Sequence, residues 1–241
     1  SVRDWSSDVC SSDLSFWYDR SARSGAGIVE TSGNTAYLGA MRDGLMIFDI
    51  SDKGKIVRLS SFIPDMRFPD PNPDATKFNS RGMAVRGDLV YLCYDAGGLR
   101  IINVADRKKP VEIGRYSNPA MNRKPRAYNN VVLDGPLAYV TVDYCGVEIL
   151  DVSRPTSISL TAWWNPWNCQ TSGLNWFSSP GHANEIAHDS ANQLLFLSVG
   201  KSDLAVLDVT NPKAPALRAS YGGPADDISV QIGRASCRER V

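Results

Sequence analysis

The sequence carries no excess charge: 26 Lys and Arg balance 26 Asp and Glu over 241 residues. That leaves no basic field to draw in a nucleic-acid backbone and no polybasic patch for anionic lipid. Histidine is scarce, with only His182 and His188. The stretch His182–Glu185 reads HANE, not the H-E-x-x-H pattern that puts two metal ligands on one helix face. No metal site and no cofactor are therefore expected. No apolar run approaches the roughly 20 residues of a helical membrane span. Cysteine is sparse too. There are five, and Cys10 and Cys237 fall in the two end segments. Cys93 lies in an apolar strand run and reads as a small buried hydrophobe. Cys145 and Cys169 lie in loops expected on one face, and a disulfide between them would agree with export.

What the sequence does have is a repeated strand pattern. LVYLCYDAGGLRIINVADRKKPVEIGRY from Leu89 is the best-preserved copy, and related stretches begin at Thr35, Leu137 and Leu194. Each holds an apolar run, a polar turn, a second apolar run ending in an Asp- or Asn-containing pentad, and a third run ending on an aromatic. Asp49, Asn103, Asp151 and Asp208 align, at spacings of 54, 48 and 57 residues. Self-similarity at roughly 40–50 residues with several strands per unit marks a propeller blade. The fold class is therefore all-β: a β-propeller of four-stranded blades, with about four blades present, cut from a ring of roughly six to eight. Runs apolar on both faces, such as LRIINV and VEILDV, suit a sheet held between two others. Gly44, Gly98 and Gly146 precede the third strand, where a positive φ is cheap for glycine.

The aligned Asp residues tempt a metal or catalytic reading. Capping is the better one, because Asn103 does the same work without charge, and an Asx side chain is suited to bond the turn backbone. Asp43, Asp95 and Asp143 fall in the second-to-third-strand turns, where capping is again expected ahead of cation binding.

GLRIINVADRKKPVEIGRY (Gly98–Tyr116), DLAVLDVTNPKAPALRASY (Asp203–Tyr221) and GVEILDVSRP (Gly146–Pro155) resemble the LVIVD repeat, a propeller motif of the form G-L-x-I-x-D-V-S-D-P-x-x-P. GLMIFDISDKGKI (Gly44–Ile56) matches less well, lacking both prolines. The resemblance implies the fold and a secreted or cell-surface location, and defines no functional residue.

The ends read differently. Asp4–Leu14 (DWSSDVCSSDL) and Ile232–Val241 (IGRASCRERV) match one-frame translations of two common sequencing-library adapters. Residues 1–14 and 232–241 are accordingly expected to be adapter-derived, and 15–231 to be the propeller fragment, truncated at both ends.

A site is expected on the face that carries the loops between blades. Those loops are long, Ile63–Ser80, Ser117–Arg126 and Asn165–Gly181, against about 4–6 residues for most connections. Trp167 and Trp176 supply aromatic surface there. At the mouth of the central channel, Arg81, Asn129 and Asn184 align at one level, Asn130 and Glu185 at the next, with Arg126 and His182 just upstream. The expected function is an exported binding or scaffold module that uses this face and channel mouth to hold a protein, glycan or small-molecule partner, with no catalytic set assigned. The alternative is a hydrolase- or lyase-type propeller enzyme with Arg81, Arg126, His182 and Glu185 in polar roles. Two titratable groups converging on one substrate atom would favour the enzyme.

Overall fold

The computed structural model describes residues 25, 27–170, 181–183, 185–199 and 203–222. The end segments, Asn184 and Trp176 lie outside the described residues. Among the described residues, sixteen strands form four sheets of four. The first sheet is β1 (Ile28–Ser32), β2 (Thr35–Gly39), β3 (Leu45–Asp49) and β4 (Val57–Phe62). The second is β5 (Met83–Arg86), β6 (Leu89–Cys93), β7 (Leu99–Asn103) and β8 (Val111–Tyr116). The third is β9 (Ala127–Asp134), β10 (Leu137–Asp143), β11 (Gly146–Asp151) and β12 (Ser159–Trp164). The fourth is β13 (Ile186–Asp189), β14 (Leu194–Val199), β15 (Asp203–Asp208) and β16 (Ala216–Gly222). In each sheet the strands pair antiparallel in chain order. Their first strands neighbour one another around a hub, β1 beside β5, β5 beside β9, and β9 beside β13.

The apolar runs build the spaces between blades. Tyr37, Leu45 and Ile47 pack against Met83, Val90 and Leu92. Leu99 and Ile101 pack with Val131, Ala138 and Val140, and Val147 and Ile149 with Leu195 and Leu197. A strand sandwiched this way needs side chains on both faces, which is why its sequence shows no polar alternation.

Three small devices recur. Asp49, Asn103, Asp151 and Asp208 each accept, through Oδ1, the backbone N–H two residues on, at 2.8, 2.9, 2.8 and 3.0 Å. The aligned position is a turn cap, and the neutral Asn103 serves as well as its charged counterparts. Gly44, Gly98 and Gly146 take φ of 78°, 82° and 77°. A Cβ at these positions would run into the carbonyl oxygen of Phe62, Tyr116 or Trp164. Finally, the pairing of third and fourth strands slips by one residue in all four blades, leaving Leu59, Ile113, Thr161 and Arg218 as the extra residues. Such a bulge raises local twist, which a blade needs to fan outward from a hub.

Cys145, in the turn between β10 and β11, is disulfide-bonded to Cys169 in the loop leaving the third blade. Cys93 is a free, fully buried thiol, and burial pushes its pKa well above the ordinary value. Peptide mapping without reductant should return Cys145 joined to Cys169, with Cys93 alkylated only after denaturation. Recovery of Cys145 and Cys169 as thiols would remove the bridge.

Candidate functional site

The first three blades each meet the backbone leading into the next at a turn. Met41, Asp95 and Tyr144, all at positive φ (50°, 40° and 67°) in the turn after the second strand, meet the segment that leads into the following blade. Met41 bridges to Ser80 and Asp95 to Tyr128, and the Tyr144 N–H donates to Gly181 O at 2.7 Å. These contacts bring the long loops over the hub.

The channel-mouth residues sort into separate partnerships. Arg81 Nε donates to Asp95 Oδ1 at 2.9 Å, and Asn79 Nδ2 donates to Asp95 Oδ2 at 2.6 Å. Burial raises the Asp95 pKa; Arg81 and Asn79 pull against it, and Asp143 adds a smaller push upward. His182 Nδ1 lies 2.6 Å from Asp143 Oδ1, both buried. Glu185 Oε2 accepts from Asn130 Nδ2 at 2.8 Å, and burial raises its pKa. Asn129 occupies a bulge in β9 and donates through Nδ2 to Ala183 O at 3.0 Å. Its carbonyl accepts from Gly82 N at 2.6 Å, so Gly82, not Arg81, is its neighbour across the hub. The capping expected of Asp95 and Asp143 is corrected here. Their side chains meet groups arriving from outside their own turns, Arg81 and His182, because that is where buried carboxylates find compensating donors.

The open space lies to one side of that rim. A cleft of about 850 Å³ runs between the two long loops of the second blade. One wall is Pro69–Asp74 with Lys77 and Phe78, the other is Asn122–Ala127, and Asp95, Ala96 and Tyr144 form the floor. Of the described residues nominated from sequence for binding at the loop face and channel mouth, Arg126 lines it, as does the turn carboxylate Asp95. Arg126 Nη1 donates to Met121 O at 2.7 Å, and burial lowers its pKa. Trp167 stands edge-on to Trp164 at 5.0 Å between ring centres and packs onto the cluster between third and fourth blades. Trp176 and Asn184 lie outside the described residues. Among the described residues no group of three or more His, Cys, Asp or Glu side chains is placed to hold a metal ion.

Two buried ionisable side chains, Arg100 and Glu148, hold the segments that carry the walls. Arg100 stands two residues after Gly98 and is fully buried. Its Nη2 donates to Asp65 O and Phe68 O at 3.1 and 3.0 Å, its Nη1 to both Glu112 oxygens at 3.2 and 3.0 Å, and its Nε to Gly97 O at 2.9 Å. The guanidinium lies over the rings of Phe68 and Tyr94 at 5.1 and 5.5 Å. Glu148 stands two residues after Gly146. Its oxygens accept from Asn118 Nδ2 at 2.7 Å and the Tyr128 hydroxyl at 2.8 Å, and that hydroxyl accepts from Asn118 N at 3.0 Å. Burial raises the Glu148 pKa to about 7, against opposing pulls from Tyr128, Asn118 and Arg126. The corresponding position of the first blade is Met46, which anchors nothing polar. The sequence signal for both residues is a single charge inside a run otherwise apolar on both faces.

Radial four-stranded sheets with long loops gathered over a hub define a β-propeller with a loop-face cleft. The chain belongs to the LVIVD repeat family, whose pattern matches residues 25–62, 79–118, 125–165 and 194–223, more than half of its length. Among solved structures it is similar to the periplasmic gluconolactonase PpgL of Pseudomonas aeruginosa, at 11% identity and a TM-score of 0.65 over 88% of this chain. It is also similar to the β-propeller domain of Myceliophteria thermophila Cps50 (Swd1), at 10% identity and a TM-score of 0.55, and to Saccharomyces cerevisiae Sqt1, at 10% and 0.60, each over 83% of this chain. It spans 58%, 60% and 52% of those three chains, less than two thirds of each. Likeness at such identity concerns fold alone. None of the curated proteins matches the sequence.

Proposed function

We propose that the chain is an exported propeller module that holds a partner in the cleft between its interblade loops. The observation that carries this is the cleft itself. Its volume of about 850 Å³ falls within the roughly 300–1,000 Å³ of ligand sites, and both walls are tied down by hydrogen bonds to buried side chains. Fixed walls reduce the ordering cost of binding. The Cys145–Cys169 bridge agrees with an oxidising compartment, where such bonds persist.

The enzyme reading has one observation in its favour: a buried histidine 2.6 Å from a carboxylate, the arrangement by which a general base is oriented. Against it, the nominated Arg81, Glu185 and His182 do not line the cleft, and they meet Asp95, Asn130 and Asp143 respectively.

An array of glycans, peptides and metabolites probed with the full chain tests the choice. Ala96→Trp puts an indole on the cleft floor and should weaken any specific binding at least ~10-fold, the equivalent of about 1.4 kcal/mol. Binding untouched by that change would sink the cleft as the site. Conversion of a bound compound, lost in His182→Gln, would favour the enzyme instead.

A further inference from the structure

The charges in the cleft are unevenly committed. Each acidic side chain on its walls and floor is engaged close to home. Asp70 Oδ1 accepts from Asn72 N at 2.9 Å. Asp74 Oδ1 accepts from Thr76 N at 3.0 Å and its Oδ2 lies 3.6 Å from Lys77 Nζ. Asp95 is held by Arg81 and Asn79. The basic wall is different. Arg123, Lys124 and Arg126 form no ion pair with any described carboxylate. Lys124 reaches only the Asn168 amide oxygen, at 3.4 Å. Asp70 across the cleft acts on Arg126 only through space. The buried Nε of Arg126 has no acceptor among the described residues, an omission that costs free energy unless something supplies one.

Three cations within four residues line this cleft, and its carboxylates, Asp70, Asp74 and Asp95, are each held by other groups. Such a wall fits a ligand bearing carboxylates, since Arg recognises a carboxylate through paired N–H donors. The rest of the lining says what carries them. Tyr144, part-exposed on the floor, offers aromatic surface on which an apolar sugar face can rest. Asn72 and Asn122 offer both donors and acceptors, suited to hydroxyls. Apart from Ala127 at the start of β9, the described lining lies outside the strands, so an extended peptide finds no backbone ladder to join.

On the cleft-binding reading above, we infer that the ligand is an acidic oligosaccharide, its uronate carboxylates held by Arg123 and Arg126 and a sugar ring set against Tyr144. Titration calorimetry with the full chain uses a uronate hexasaccharide, its methyl ester and hexaglutamate as probes. The free uronate should bind, and the ester at least ~10-fold more weakly, as expected when a charge-assisted hydrogen bond is lost. Affinity should fall as salt rises. Arg123→Gln, at an exposed position, and Arg126→Gln should each cost about 5–10-fold, and Arg126→Lys should recover part of the loss. Circular dichroism melts show whether each variant is folded; a misfolded Arg126 variant leaves Arg123→Gln as the decisive arm. Equal binding of ester and acid, or tighter binding of hexaglutamate, overturns the inference. If the uronate fails while another array compound binds and is blocked by Ala96→Trp, this inference falls and the cleft reading stands. If nothing binds in a way that Ala96→Trp blocks, both fall.

Discussion

Replacing Arg100 with methionine is expected to cost about 3–5 kcal/mol of unfolding free energy, the usual penalty for removing one partner from a buried ion pair. The stem would be matched by methionine, so the loss is of the guanidinium and not of volume. Three faults arise together. Glu112 is left with a partly buried carboxylate and only the looser Arg115, 4.0 Å away. The part-buried carbonyls of Asp65 and Phe68 lose their charged donor, a hydrogen bond of the stronger, charge-assisted kind. Tyr94 loses the cation over its ring, and Phe68 keeps only Arg115 over its own. The first two faults sit on different elements, so Arg100→Met with Glu112→Gln should recover part of the loss but not all of it. Denaturant titration measures this directly. A cost below about 1 kcal/mol would mean that residues 63–80 are held by contacts other than Arg100.

Stability should fall as pH rises from about 4.5 to about 7, and Glu148→Gln should flatten that fall. The folded protein raises the Glu148 pKa from an ordinary 4.5 to about 7 because the carboxyl is buried. Across that window the native state keeps a proton that the unfolded chain has released. Stability therefore declines with pH, by about 3 kcal/mol in all at ~1.4 kcal/mol per unit. Asn118, Tyr128, Tyr116 and Arg126 are the polar groups that share its surroundings. Glutamine fills the same space and has no proton to lose. Asp95 and Glu185 are raised in the same direction by burial, so a shallower decline should remain. Asp49, Asp151 and Asp208, lowered by their turn hydrogen bonds, act oppositely and only in more acid solution. Unfolding curves at pH 5 and pH 8 for both proteins decide the matter. An unchanged difference in Glu148→Gln would show that the carboxylate is already charged in the fold.

The blades are legible in the sequence because their determinants are local. Leu89–Cys93 and Leu99–Asn103 declare themselves as apolar runs around a Gly-containing turn, and the Asx caps recur at one offset. The site is much less legible, because its geometry joins residues from different blades. Met41, Asp95 and Tyr144 perform one backbone task with three unrelated side chains, so alignment by residue type cannot pair them. Strand alignment gathers Arg81, Asn129, His182 and Glu185 near the hub. It says nothing of their partners, Asp95, Ala183, Asp143 and Asn130, which depend on the neighbouring loop or strand that reaches them. Arg126 stands out by its place just upstream of β9, whereas Arg123 and Lys124 do not, since surface cations are ordinary until a cleft gives them an address.

The single-residue slip shared by all four sheets has a consequence for how such a ring can grow. A blade that carries its own bulge brings part of its curvature with it. Tandem copying of one gene segment then delivers a ready-bent cassette each time, and diameter becomes a matter of copy number. The linkers are free to differ between copies, as the unlike spans 63–80 and 117–126 do.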